Sequence, residues 1–165
     1  MHNAFPPLLG ENPEILILGT FPSPLSRGKG EYYGNPRNQF WRIIFDIFGQ
    51  PFDDPPYSRK TEILAENGIA LWDTLVSCNA DNALDSSIRN PVYNTAIPGF
   101  IAEHCISRVF FNGGNAYTFY KRGVGHVERN VLPSTSPANA RMSYSGKLEI
   151  WRASLAESDR KKMLL

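Results

Sequence analysis

Glu14-Ile15-Leu16-Ile17-Leu18-Gly19 places four aliphatic residues in a row and stops at a glycine. A strand with one wet face alternates apolar and polar residues. An unbroken apolar run is what a strand covered on both faces needs, and such strands belong to parallel sheets. Three more short runs have the same character: Ile69-Ala70-Leu71-Trp72, Arg108-Val109-Phe110-Phe111-Asn112 and Glu128-Arg129-Asn130-Val131-Leu132. Each is followed by Gly, Asp, Asn or Pro, residues that favour turns over continued pairing.

Between these runs the apolar spacing becomes helical. Asn38 to Phe48 sets Phe40, Trp41, Ile44, Ile47 and Phe48 mostly three or four residues apart, and Gly49 ends the pattern. Ser58 to Asn67, about Pro98 to Cys105, Asn115 to Arg122 and Ser145 to Leu155 read as further helices, separated by Gly68, Gly113-Gly114 and Gly123. Pro51 to Pro56 reads as a loop, and the tail from Asp159 as a fraying helix end. Strands alternating with helices predict an α/β sandwich.

A chain of 165 residues fits one domain, residues 1–165, which buries roughly two-thirds of its unfolded surface. With 42% hydrophobic and 20% charged residues it has the composition of a soluble globular protein. The N-terminus lacks a basic segment leading into an apolar run, and no apolar stretch approaches the roughly 18 residues of a membrane helix. A cytoplasmic monomer without membrane contact is expected. Cys78 and Cys105 cannot supply a four-thiolate site, and neither CxxC nor paired-histidine spacing is present, so no metal site is expected and both thiols should be reduced and buried. The net charge of +1 lacks the basic excess of a typical DNA-binding domain. Any polyanion contact has to use local clusters, for which Arg27, Lys29, Arg37 and Arg42, or Arg141, Lys147 and Arg152, are candidates.

In open parallel sheets ligands bind beyond the C-terminal ends of the strands. The first end continues into Gly19-Thr20-Phe21-Pro22-Ser23-Pro24-Leu25-Ser26 and a polar loop to Gly34, with neither GxGxxG nor a P-loop signature. Its Phe21-Pro22 and Tyr32-Tyr33 pairs suit the walls of a base-sized pocket as well as a plain connection. That loop delivers Asn35-Pro36-Arg37-Asn38 to the start of the Phe40-Trp41 helix. One asparagine can cap the helix, which leaves the other free for chemistry. The second end, Trp72-Asp73-Thr74, and the third, Asn112-Gly113-Gly114-Asn115, are polar where a ligand should sit. Asp73 is either a cap or an acceptor for an N–H of the ligand; Asn112 either closes a turn or presents its amide. The fourth, Pro133-Ser134-Thr135-Ser136-Pro137-Ala138-Asn139-Ala140-Arg141, is a stiff hydroxyl-bearing loop with an arginine, suited to backbone phosphate or simply to a Ser/Pro turn.

Taken together, Leu18-Gly19-Thr20-Phe21-Pro22-Ser23, Tyr33-Gly34-Asn35-Pro36-Arg37-Asn38-Gln39-Phe40-Trp41, Leu71-Trp72-Asp73-Thr74 and Leu132-Pro133-Ser134-Thr135-Ser136-Pro137 resemble the motifs of the uracil-DNA glycosylase superfamily, and within it the hypoxanthine-DNA (deoxyinosine) glycosylase branch. The second and fourth stretches are the specific ones. The resemblance implies a three-layer α/β/α sandwich with a central four-stranded, largely parallel sheet, no cofactor, and a pocket for a base flipped out of damaged DNA. It implies hydrolysis of the N-glycosidic bond of hypoxanthine, uracil or xanthine. Phe21-Pro22 stands where related branches carry a water-handling Asp or Asn, and Leu132 where the best-known uracil enzymes carry a histidine. The resemblance therefore gives the catalytic role to Asn38, whose carboxamide can orient water but not deprotonate it, so bond stretching should precede attack. It implies base contacts from Phe21, Asp73 and Asn112, and DNA-backbone contacts from Ser134, Ser136 and Arg141. The residue that fills the gap in the duplex is expected at Asn139 or Met142. No lysine occupies a Schiff-base position, so strand cleavage is not expected. Two other readings fit the residues: a damaged-DNA-binding module of weak catalysis, and a hydrolase acting on free nucleosides or nucleotides.

Overall fold

Ile15, Leu16, Ile17 and Leu18 are all buried, and their strand lies inside a parallel sheet. The computed structural model describes the backbone of residues 1–162 and the side chains as far as Ala156. In chain order the strands are β1 (His2–Asn3), β2 (Ile15–Gly19), β3 (Ile69–Asp73), β4 (Leu75–Ala80), β5 (Ile88–Tyr93), β6 (Arg108–Asn112) and β7 (Val131–Leu132). The helices are α1 (Pro24–Lys29), α2 (Phe40–Ile47), α3 (Tyr57–Glu66), α4 (Ile97–Glu103), α5 (Gly114–Gly123) and α6 (Tyr144–Lys162). The main sheet has the order β3-β2-β6-β7, every pair parallel.

Successive side chains of a strand point to opposite faces, and this splits β2 between two cores. Ile15 and Ile17 pack with Phe40, Trp41 and Ile44 of α2, Ile63 and Leu64 of α3 and Trp151 of α6. Leu16 and Leu18 pack with Ile97 and Phe100 of α4 and Ala116 and Tyr120 of α5. Helices thus cover both faces, which is why the run has no polar position. The expected three-layer sandwich with a four-stranded parallel sheet is the architecture found.

Several local features differ from expectation. An antiparallel sheet of order β1-β4-β5, its strands interleaved in the chain with those of the main one, was not revealed by the sequence pattern. β5 contains Pro91, which cannot donate to a ladder, and the β4–β5 pairing carries register irregularities. The loop expected between Gly19 and Gly34 contains α1: Ser23 accepts the Ser26 N–H at 3.2 Å as N-cap, Pro24 occupies the first turn, and Gly30 ends the helix at φ 69°. β7 is confined to Val131–Leu132, because Glu128 and Arg129 are exposed. Cys78 is buried as expected, but Cys105 is exposed, lying past the end of α4 in a left-handed turn at φ 53°. The expected fraying end falls partly on residues 163–165, which lie outside the described residues.

Candidate active site

The C-terminal ends of β2 and β6 and the loop after β7 open onto a cleft of about 560 Å³. Phe21, Asn38, Asn112, Ser134, Ser136 and Arg141 all line it. Asp73 does not, although it ends β3 beside Gly19 in register. Its side chain is 4% exposed and lies under the Gly19 backbone. A Cβ at residue 19 would come within 2.6 Å of Asp73 Oδ1 and 3.2 Å of the Tyr33 hydroxyl, so only glycine permits this layering. Asp73 Oδ2 has no hydrogen-bond partner among the described residues. Burial pushes the Asp73 carboxyl up to about 7, and the charge of Asp85 adds to the effect.

One wall is aromatic. Tyr33 takes φ 52°, a left-handed conformation that costs a bulky residue about 1–2 kcal/mol. It stacks on Phe40 with ring centroids 4.1 Å apart and planes at 23°. Burial, then the neighbouring Asp73, raises the Tyr33 phenol above its ordinary range, against an opposing hydrogen bond with Asn112. Phe21, half-buried at the rim, has the Arg27 guanidinium 5.5 Å from its ring centre.

Both asparagines at the start of α2 bond backbone N–H groups, where one was expected to cap and the other to be left free for chemistry. Asn35 Oδ1 accepts the Arg37 N–H at 3.0 Å, and Asn38 Oδ1 accepts the Phe40 N–H at 2.9 Å. The second bond satisfies one of the orphan donors of the first helical turn and locks the Asn38 carboxamide in orientation. A carboxamide oxygen retains a second lone pair for another donor.

Asn112 is held from two sides. Its Nδ2 donates to Thr135 Oγ1 at 2.9 Å and its Oδ1 accepts the Thr135 N–H at 3.0 Å. Thr135 is fully buried, and its carbonyl accepts the Gln39 N–H at 3.0 Å, so β6, the Ser/Pro loop and the start of α2 form one hydrogen-bonded unit. Within the loop Ser134 Oγ accepts the Ser136 N–H and Ser136 Oγ accepts the Ala138 N–H, at 3.3 and 3.2 Å. Each hydroxyl therefore keeps its proton for donation outward.

Lys147 corrects a sequence expectation: it is 2% exposed and contributes nothing to a surface basic cluster. Its ammonium donates to Gln39 Oε1 at 2.9 Å and to the Asn139 carbonyl at 2.8 Å, both uncharged, and burial lowers its pKa. Of the other cluster, Lys29, Arg37 and Arg42 are exposed, and the Arg42 guanidinium lies 4.3 Å from the Tyr144 ring centre.

Asp85 was not singled out by sequence. It sits in the short turn Asp85–Ser87 between β4 and β5 and lines the cleft together with the Ser/Pro loop. Thr20 Oγ1 and Asn115 Nδ2 both donate to its Oδ2, at 3.2 and 3.1 Å. Burial raises its pKa, against the opposing pull of these bonds, Asn115 first. Nothing in the polar run Asp81–Ser87 marks Asp85 out; only the hairpin brings it to the cleft. Among the described residues no three His, Cys, Asp or Glu side chains cluster as metal ligands, and no helix is long and apolar enough to cross a membrane.

A polar cleft at the C-terminal edge of a parallel sheet, with an aromatic wall and fixed amides, defines a pocket class suited to a planar heterocycle. Comparison with known proteins makes this specific. Residues 6–155 match the uracil DNA glycosylase superfamily, and the chain belongs to that superfamily. It is 39% identical over 153 residues to the hypoxanthine DNA glycosylase of Methanosarcina acetivorans, covering 90% of this chain and 94% of that one. It is 36% identical over 146 residues to the protein of the same description from Methanosarcina barkeri, covering 87% and 91%. The solution NMR structure of a candidate uracil DNA glycosylase from Methanosarcina acetivorans superposes with a TM-score of 0.73 at 36% identity, covering 93% of this chain and 95% of that chain.

Proposed function

We propose that this protein is a monofunctional DNA glycosylase, a single-domain cytoplasmic monomer that hydrolyses the N-glycosidic bond of a deaminated base flipped from DNA. Hypoxanthine is the leading substrate, with uracil and xanthine as further ones. The observation that carries the reading is Asn38: its carboxamide lines the cleft while Phe40 fixes its orientation. Membership of the superfamily and the names of the two relatives support the same reading.

The chain's groups divide the work. Phe21 stacks on the extruded base, and the Asn112 amide, pinned by Thr135, turns its second N–H from the Tyr33 hydroxyl to a base carbonyl. Asp73 supports the floor from below Gly19. Ser134, Ser136 and Arg141 grip the phosphates beside the flipped nucleotide, and Asn139 or Met142 enters the gap left in the duplex. Extrusion costs a few kcal/mol, least at a damaged or mismatched pair.

Chemistry then runs dissociatively. The C1′–N bond breaks with both electrons passing to the base, water held by the free lone pair of Asn38 Oδ1 adds to C1′, and its proton leaves to solvent. Preorganised donors facing the departing base lower the barrier. At the position of Leu132 the side chain is buried and apolar, so no imidazole assists departure.

Release of free base from an inosine-containing duplex tests this reading, with Asn38→Ala alongside. An Asn38→Ala variant as active as wild type overturns the role of Asn38. Tight binding to damaged DNA without base release favours a binding module instead, and full competition by free inosine favours a small-molecule hydrolase.

A further inference from the structure

We infer that Asp85 is the group that distinguishes hypoxanthine and uracil from their amino parents, adenine and cytosine. The inference rests on the glycosylase reading and adds to it the residue that sets base identity.

Deamination changes a base edge in two linked ways. An exocyclic amino group becomes a carbonyl, and the adjacent ring nitrogen changes from a lone-pair acceptor to an N–H donor. Hypoxanthine and uracil present this N–H beside the new carbonyl, whereas adenine and cytosine present the lone pair; guanine already carries an N–H beside a carbonyl, so this edge does not separate it from xanthine. A fixed carboxylate, which only accepts, bonds the first kind of edge and repels the second. Sites built around such a bond can reject the mismatched ligand by several orders of magnitude, because the buried polar groups are left unpaired.

Among the described residues two carboxylates, Asp73 and Asp85, lie near the cleft, and Asp85 is the one that lines it. Asp73 lies beneath Gly19, is 4% exposed and is not among the residues that line the cleft. Asp85 lines the cleft. Thr20 and Asn115 both donate to its Oδ2, while Oδ1 has no hydrogen-bond partner among the described residues and is not sealed from solvent. Two donors on one oxygen fix the carboxylate plane and leave the other oxygen as a directed acceptor. Asn112, which also lines the cleft, supplies the donor for the neighbouring carbonyl.

The same geometry dictates what Asp85→Asn does. The amide oxygen takes the place of Oδ2, where two donors await it, and the NH2 occupies the place of Oδ1. The open acceptor becomes a donor, opposed to the N–H of hypoxanthine and matched to the lone pair of adenine.

The test compares excision of hypoxanthine, 1-methylhypoxanthine and adenine from the same duplex by the wild-type chain and Asp85→Asn. Wild type should release hypoxanthine at least about 100-fold faster than 1-methylhypoxanthine, which lacks the N–H, a comparison that needs no variant. In Asp85→Asn hypoxanthine excision should fall at least about 100-fold, and the gap to both other bases should narrow at least about tenfold. The inference is overturned if Asp85→Asn handles hypoxanthine as wild type does, if all three bases fall equally, or if wild type does not separate hypoxanthine from its 1-methyl form. Absence of base release by wild type overturns the glycosylase reading itself, whereas release by wild type with unchanged selectivity in the variant overturns only the role of Asp85.

Discussion

Lys147 joins Gln39 to Asn139: one buried ammonium bonds the Oε1 of a residue at the start of α2 and the carbonyl of a residue in the loop after β7. These segments carry Asn38 on one side and Ser134 and Ser136 on the other. Replacing Lys147 by Met keeps much of its volume and removes both bonds. The expected result is a loss of about 1–3 kcal/mol of stability and a fall in kcat/KM on inosine duplex of about 10- to 100-fold. Thermal melting and single-turnover excision check the two parts.

At Asn38 the helix cap and the proposed water contact can be separated. Serine also offers an oxygen to a nearby helix N–H, so Asn38→Ser should melt within about 0.5 kcal/mol of wild type, while Asn38→Ala loses about 1 kcal/mol. Both should lose base excision by about 100-fold or more, since neither carries the carboxamide. An active Asn38→Ser would show that capping alone accounts for the residue.

The Asp73 carboxyl titrates near 7 in the folded protein and near 3.8 when unfolded. Between those values the unfolded chain gives up the proton while the folded one keeps it, so stability falls as pH rises and the full penalty is present above pH 7. Asp73→Asn removes that penalty. Its advantage over wild type in Tm should be several degrees at pH 8 and should shrink steadily toward pH 4. An advantage independent of pH would exclude ionisation of Asp73 as its cause.

Arg141 and the two loop serines make different contributions to DNA affinity. Arg141→Ala should weaken binding at low salt and reduce the slope of log K against log salt by about 1, one released counterion. Ser134→Ala and Ser136→Ala should each weaken binding several-fold and leave the slope unchanged. Fluorescence anisotropy with an inosine duplex at several salt concentrations separates the two behaviours.

What was legible in the sequence follows from how local each determinant is. Ile15 to Leu18 must be covered on both faces whatever surrounds them, so the buried parallel strand could be read directly. Asn38, Asn112 and Ser134 could be placed at the cleft because strand ends and loop motifs position them. The rest depends on partners distant in the chain. A lysine reads as solvated, and only Gln39, 108 positions before it, together with Asn139, makes burial of Lys147 tolerable. Asp73 could be placed at a strand end, but its position beneath Gly19 follows from the pairing of two separate strands. Asp85 lies in a featureless polar turn, between strands whose Pro91 and mixed polarity obscured them.

The hairpin of β4 and β5 carries the proposed base-reading carboxylate, while the proposed water-positioning amide and the phosphate loop belong to the main sheet and its connections. The proposed base-edge acceptor and the water-positioning amide therefore occupy separate stretches of chain, with Asp85 tied to the main sheet's connections at Thr20 and Asn115. The tip of the hairpin is exposed from Asp81 to Leu84 and belongs to neither β2, β6 nor α2. Swapping this one segment between homologous scaffolds is thus a direct route to new lesion preferences on an unaltered hydrolytic centre.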